Sequence, residues 1–304
     1  MKSWWIDTDP GVDDAWAILM MLGAREVKVR GISVVGGNVG IEHTLENACR
    51  IVDLAGVDLP VYPGAASPLI GGLPDAGFVH GSDGLGNANL PLARTRPQLL
   101  SAAQALIEAS LRAPGELNVL ALGPLTNLAL ACMLDPGLPA RCARLVVMGG
   151  AVGAYGNTRV PSAEFNIAFD PEAAQMVFAR WPGMELVDWE LTMRAAPASR
   201  AVDAWLQSAH PQGRWLHAVT RKTAEFVHGN GFEYWAWADP LAAFIALSPD
   251  AVTAWTQAPV EVALAVGPTR GQTVVDWHGL GEFRGPRVAI AKSVQLERDR
   301  KSVV

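Results

Sequence analysis

The sequence predicts an α/β fold, a single-domain, open and mostly parallel sheet flanked by helices, on three observations. Short β-branched runs alternate with Ala- and Leu-rich segments of helical period for most of the 304 residues. Half of the residues are hydrophobic and 18% are charged, which supplies a sizeable core and excludes disordered, collagen-like and coiled-coil chains. No composition break, Ser/Gly linker or repeat marks a boundary, so residues 1–304 read as one domain.

Trp4–Ile6 reads as the first strand and Asp13–Leu22 as the first helix; Val27–Val35 and Thr44–Ala55 repeat the pair. A Gly/Pro-rich stretch from about Gly64 to Pro97 follows, too long for a mere connector and of a length typical of lids and binding loops. Alternation resumes with a helix over Gln98–Arg112, a strand over Leu117–Leu122 and a helix over Leu125–Leu134. A strand over Arg144–Met148 and a helix over Pro171–Ala179 continue it. Beyond Glu185–Trp189 the pattern weakens. One helical stretch spans about Ser199–Val227 and another Asp239–Leu247, and Val260–Val266, Thr273–Trp277 and Val288–Ile290 read as late strands.

Lys and Arg number 24 against 30 Asp and Glu, a formal net charge of −6. Such a field repels polyanions, so no nucleic-acid partner is expected. Cys49, Cys132 and Cys142 lie far apart and form no C-x-x-C pair, the usage of a reducing compartment. The N-terminus reaches acidic residues before a signal-peptide core could form, and no apolar run approaches the ~20 residues of a membrane span. A cytoplasmic protein with no membrane partner is the expectation.

Asp7-Thr8-Asp9-Pro10-Gly11-Val12-Asp13-Asp14 places four carboxylates where the first strand gives way to the first helix. In an open parallel sheet that turn faces the crevice at the carboxyl ends of the strands, where ligands bind. Singly, each aspartate has an ordinary role: Asp13 and Asp14 suit a helix N-terminus and Asp7 a turn. Together they repel, by about 4 kcal/mol for a pair about 4 Å apart at an effective dielectric near 20. No Lys or Arg follows on the helix side before Arg25, so a divalent cation is the economical partner. All-oxygen ligands favour Ca²⁺, Mg²⁺ or Mn²⁺ over zinc. An EF-hand is excluded, since with Asp7 as its first position Val12 and Ile18 stand where Gly and Glu are required.

Other strand ends bring polar groups and glycines to the same rim: Gly36-Gly37-Asn38, Gly123-Pro124-Leu125-Thr126-Asn127 and Met148-Gly149-Gly150. Each alone is an ordinary tight turn, but their joint placement favours a site. Ser162–Asn166 alternates so that Glu164 and Asn166 share one side of an extended segment. Asp239, preceded by Tyr234, Trp235 and Trp237, opens an apolar helical stretch as an N-cap would. No G-x-G-x-x-G, Walker loop or G-x-S-x-G elbow is present, so dinucleotide, nucleoside-triphosphate and serine-hydrolase chemistry lack support.

The acidic cluster resembles the signature of the inosine–uridine-preferring nucleoside N-ribohydrolases, calcium enzymes that cut the N-glycosidic bond of ribonucleosides. The likeness extends through Gly36–Asn38, His80-Gly81 with Asp83–Gly86, Leu122–Asn127, Val147–Gly150, Ala163–Asn166 with Asp170–Ala174, Asp239-Pro240 and Gly271–Asp276, nearly the whole chain. It implies one Rossmann-like catalytic domain, a homodimer or homotetramer, and hydrolysis to ribose and free base. By resemblance, Asp9, Asp14, Asp239 and the Leu122 carbonyl would hold Ca²⁺, and Asp9 would also be the general base acting on the metal-activated water. Asp13 and Asn38 would hold the ribose 2′- and 3′-hydroxyls; Asn157, Glu164 and Asn166 would surround the 5′ end, with Met148 lining the sugar.

One position departs from the family pattern. Many members carry a histidine just before the last metal-binding aspartate, where this chain has Ala238. That histidine is the acid for the departing base, so the substitutes to weigh are His80, Tyr234, His228, and stacking on Trp235 or Trp237. A leaning toward purine nucleosides follows, since N7 can take a proton from another donor and a larger face stacks better. Two other readings stay open: a nucleoside-binding protein with little turnover, and a haloacid-dehalogenase-type phosphatase, although Gly11 stands where that motif wants Thr or Val.

Overall fold

The computed structural model describes residues 1–71, 75–207, 209–283 and 285–296. The elements run β1 (Lys2–Thr8), α1 (Val12–Gly23), β2 (Val27–Val34), α2 (Ile41–Ala55), β3 (Val61–Pro63), α3 (Gly77–His80), α4 (Ala102–Arg112) and β4 (Leu117–Ala121). Next come α5 (Thr126–Leu134), α6 (Leu138–Arg141), β5 (Cys142–Met148), α7 (Phe165–Phe169), α8 (Pro171–Arg180), β6 (Glu185–Val187) and α9 (Trp189–Ala195). The rest is α10 (Ser199–Trp205), α11 (Pro211–Gly229), α12 (Ala238–Leu247), a 3-10 turn (Pro249–Ala251), β7 (Val252–Val262), β8 (Thr273–Val275) and β9 (Arg287–Val294).

Among the described residues these strands form one nine-stranded sheet in the order β3-β2-β1-β4-β5-β6-β9-β7-β8. Pairing is parallel from β3 to β9; at the far edge β7 runs the other way, so its pairings with β9 and β8 are antiparallel. Strands covered by helices on both faces read as near-continuous apolar runs, and β4 is buried along its whole length. On β1, Trp4 and Ile6 enter one core and Trp5 the core on the other face. The chain order reverses between β1 and β4, and a ligand crevice opens where strand order reverses. The acidic turn after β1 and the Leu122-Gly123 turn after β4 therefore face each other.

Several sequence expectations are corrected. Ser162–Asn166 is not extended: Glu164 caps α7, whose first turn holds Asn166, because the carboxylate satisfies helix N–H groups that an alternation pattern does not reveal. The helical stretch Ser199–Val227 is two helices, with Pro211 starting the second. The strand expected over Val260–Val266 spans Val252–Val262. The helix expected from Gln98 starts at Ala102 after the N-cap Ser101. Asp239 is not an N-cap; Trp237 holds that position and Asp239 lies in the first turn of α12. The long Gly64–Pro97 stretch contains the short helix α3, which ends at His80. Among the described residues no helix is long and apolar enough to cross a membrane.

Candidate active site

The first turn after β1 buries its carboxylates instead of exposing them. Asp9 is 1% exposed, with Oδ2 accepting the Asn38 N–H at 2.7 Å and Oδ1 buried without any hydrogen-bond partner. Glycines flank it on both sides. A Cβ on Gly37 would stand 2.1 Å from Asp9 Oδ2, and one on Gly123 2.5 Å from Oδ1. The two Gly turns noted in the sequence thus act as a cradle for one carboxylate. Behind it lies Asp7, held by Ser33 and Asn127 and pushed up to about pKa 7 by burial.

Asp14 sits at the third position of α1 and reaches back to the Gly11 N–H at 2.8 Å, half of a capping box. It also accepts from the Thr8 hydroxyl and, at 3.1 Å, from the Asn38 amide. Helices α1 and α12 pack together and bring Asp239 to the same point. Asp13, Asp14 and Asp239 each place a carboxylate oxygen so that all three lie within 4.8 Å of one another. Burial, then neighbouring negative charge, raises the pKa of Asp9 and Asp239 well above the usual range, and that of Asp14 to about 6. Asp13 rises to about 6 through burial. Among the described ion pairs none brings Lys or Arg to these four groups. The three grouped carboxylates Asp13, Asp14 and Asp239, with the orphaned oxygen of nearby Asp9 and no Lys or Arg paired to them among the described residues, make a donor set that suits a hard divalent ion.

Above this floor opens a cavity of about 620 Å³. It brings together Asp13, Asn38, His80, Leu122, Met148, Asn157, Glu164, Asn166, Tyr234, Trp237 and Asp239; Asp9 and Asp14 do not line it but are buried and hydrogen-bonded to Asn38, which does. At one end Glu164 Oε1 accepts from Asn166 N–H, and Oε2 from Gly150 and Ile167 N–H; burial raises its pKa. Asn157 Oδ1 accepts from Phe165 N–H at 2.9 Å. The Asn166 amide donates to the Leu122 carbonyl at 2.7 Å, so that oxygen already has one partner and one lone pair left for an ion. Met148 Sδ lies 3.5 Å from the same amide.

Much of the remaining lining is apolar: Trp189, Met193, Phe226, Phe232, Trp235 and Trp237. Trp237 stacks on Trp205 at 5.4 Å and tilts against Trp16 at 4.6 Å, so part of its surface is structural. Tyr234 stands at the rim, 56% exposed. His80 Nδ1 accepts the Val12 N–H at 3.1 Å, which leaves the ring proton on Nε2, and burial lowers its pKa to about 4. His228 is not among the cavity residues and lies 3.4 Å from Asp203 instead. Met193, Phe226 and Val227 had no signal as site residues, since apolar residues at helical spacing look like core.

The family model described as "Inosine-uridine preferring nucleoside hydrolase" matches residues 4–301. A probable uridine nucleosidase 2 of Oryza sativa subsp. japonica is 47% identical over 190 residues, 62% of this chain and 56% of that protein. This match spans little more than half of that relative's length. A non-specific ribonucleoside hydrolase of Klebsiella pneumoniae is 39% identical over 216 residues, 70% of this chain and 69% of that one. A solved plant nucleoside hydrolase superposes with TM-score 0.89 and 32% identity, covering 96% of this chain and 94% of its own. With the sheet order, the carboxylate floor and a family match over nearly its whole length, this chain belongs to the inosine-uridine preferring nucleoside hydrolase family.

Proposed function

We propose that the protein hydrolyses the N-glycosidic bond of ribonucleosides to ribose and free base, as a single catalytic domain. The observation that carries this is Asp9: a buried carboxylate with an unpartnered oxygen, hydrogen-bonded to Asn38 of a cavity lined by both polar and aromatic side chains. In this reading Asp9 takes the proton of water as it attacks the anomeric carbon. The surrounding carboxylates stabilise the positive charge that an oxocarbenium-like transition state develops. Asp13 and Asn38 orient the 2′- and 3′-hydroxyls, and Asn157, Glu164 and Asn166 the 5′ end, with Met148 against the sugar.

Asp9, Asp14, Asp239 and the free lone pair of the Leu122 carbonyl are the residues that would hold a Ca²⁺ ion. Bound there, the ion would balance the carboxylates and acidify a neighbouring water. At the base end His80 Nε2–H is a hydrogen-bond donor rather than a source of a full proton, and Trp237 and Tyr234 offer aromatic faces. The purine leaning rests on Ala238 and this wall, while the rice relative's name points to uridine. Comparing kcat/KM for inosine and uridine decides between them.

Release of free ribose from inosine or uridine tests the reading. A phosphatase would release phosphate from phosphorylated substrates only, and a nucleoside-binding protein, the second reading prompted by Ala238, would bind inosine and release nothing.

A further inference from the structure

The loop that carries Asn157 is held by a carboxylate to which the reaction above gives no role. Glu190, in the first turn of α9, accepts the Gly153 N–H with both oxygens at 2.9 Å and the Tyr155 N–H with Oε1 at 2.9 Å. Among the described ion pairs none includes Glu190, so these amides are the partners the structure records for its charge. Upstream the loop is anchored by buried Ala151 and Val152 and by the Ala154 N–H bond to the Ala151 carbonyl at 3.1 Å; from Gly153 to Tyr155 Glu190 supplies the side-chain acceptor. The Tyr155 side chain is 78% exposed and contributes no core anchor. Ala154, between the two donors, has φ +66°, a left-handed conformation that an L-residue keeps only where its surroundings enforce it. The neighbouring residue of α9 helps, since Trp189 N–H donates to the Gly150 carbonyl at 2.9 Å. On the far side, Gly156 N–H reaches Pro161 O and Asn157 N–H reaches Ala163 O. Asn157 is therefore hung between two clamps, Glu190 upstream and the start of α7 downstream.

Resting on the ribohydrolase reading, we propose that Glu190 is a positioning residue: by fixing the N–H groups of Gly153 and Tyr155, it sets where Asn157 meets the 5′ end of the ribose. A position set this way matters only to substrates that own a 5′-hydroxyl, which separates it from general support of the fold.

The test compares inosine with 5′-deoxyinosine in wild type, Glu190→Ala and Glu190→Gln, reading KM, kcat and calorimetric Kd, with thermal melting as a check of folding. Glu190→Ala should raise KM and Kd for inosine about tenfold, with a smaller change in kcat, and move 5′-deoxyinosine by no more than about twofold. Glu190→Gln keeps the side chain's shape and one acceptor oxygen, so it should recover part of the loss and also serves if the alanine variant does not fold. In Asn157→Ala background, Glu190→Ala should add no further loss. Equal effects on both substrates, or no effect on either, would overturn the assignment. A wild-type protein that neither binds nor cleaves inosine overturns the ribohydrolase reading, and the assignment with it; one that binds without turnover leaves the Kd comparison to decide.

Discussion

His80 Nδ1 accepts the backbone N–H of Val12 at 3.1 Å, which ties a residue of the long Gly64–Pro97 stretch to the first turn of α1. The bond assigns the ring its neutral tautomer with the proton on Nε2, and burial holds its pKa near 4. A ring neutral at neutral pH offers a departing base a hydrogen bond from Nε2–H. His80→Ala should therefore lower kcat for inosine about tenfold, the worth of one hydrogen bond of about 1.4 kcal/mol. Turnover of p-nitrophenyl riboside, whose leaving group needs no help, should change little. A loss of about 10³-fold, with a pH limb near 6.5 in the wild type, would make His80 a true general acid.

Ala238 is the first residue of α12, lines the cavity and directly precedes Asp239. Ala238→His would put an imidazole beside the base end, and it should improve kcat/KM for uridine more than for p-nitrophenyl riboside. Equal wild-type efficiency on inosine, uridine and p-nitrophenyl riboside would show that a competent acid already exists elsewhere.

The glycine cradle around Asp9 gives a purely steric prediction. Gly37→Ala and Gly123→Ala each push a methyl into a carboxylate oxygen, at 2.1 and 2.5 Å. Asp9 must move, and activity should fall at least about 10²-fold, since sub-ångström placement governs this chemistry. Gly40→Ala, whose Cβ would meet nothing within 4 Å, is the control and should stay near wild type. Activity retained in both cradle variants would mean that the position of Asp9 is not critical.

Burial of the carboxylates also sets the pH dependence of stability. Asp7 titrates near 7, and Asp13, Asp14 and Asp188 near 6, all above the 3.8 of an exposed aspartate. Between about pH 4 and 7 the folded state binds more protons than the unfolded, so stability falls as pH rises. His80, lowered from 6.5 to about 4, pulls the other way, one group against several. Chelated protein should thus melt at lower temperature at about pH 7.5 than at about pH 5. Added calcium, which needs ionised ligands, should raise Tm more at the higher pH. Calorimetry with and without chelator checks both slopes, and a calcium effect independent of pH would contradict the carboxylate floor.

Much of this was legible in the sequence because period and spacing carry it. Four carboxylates between Asp7 and Asp14 announced a crowded strand end, and alternating β and α runs gave the central strands. What escaped depends on contacts between distant segments. The partner of the Leu122 carbonyl is Asn166, 44 residues away. Glu164 looked like part of an extended stretch because its capping of α7 is a property of side-chain geometry, not alternation. The apolar wall from Phe226 and Met193 looked like core, since a helix face toward a cavity has the same pattern as one toward a sheet. Strand β7, exposed at several positions and flanked on its outer side only by the three residues of β8, gave only its last residues away.

In the proposed reaction Asp9 removes the proton from the attacking water. Asp9→Asn keeps the shape the cradle requires and an oxygen to accept the Asn38 N–H, while removing the basic group. The decisive measurement is kcat for ribose release from inosine by this variant at saturating calcium. It should fall about 10²–10⁴-fold relative to wild type; a kcat near the wild-type value would place the base elsewhere.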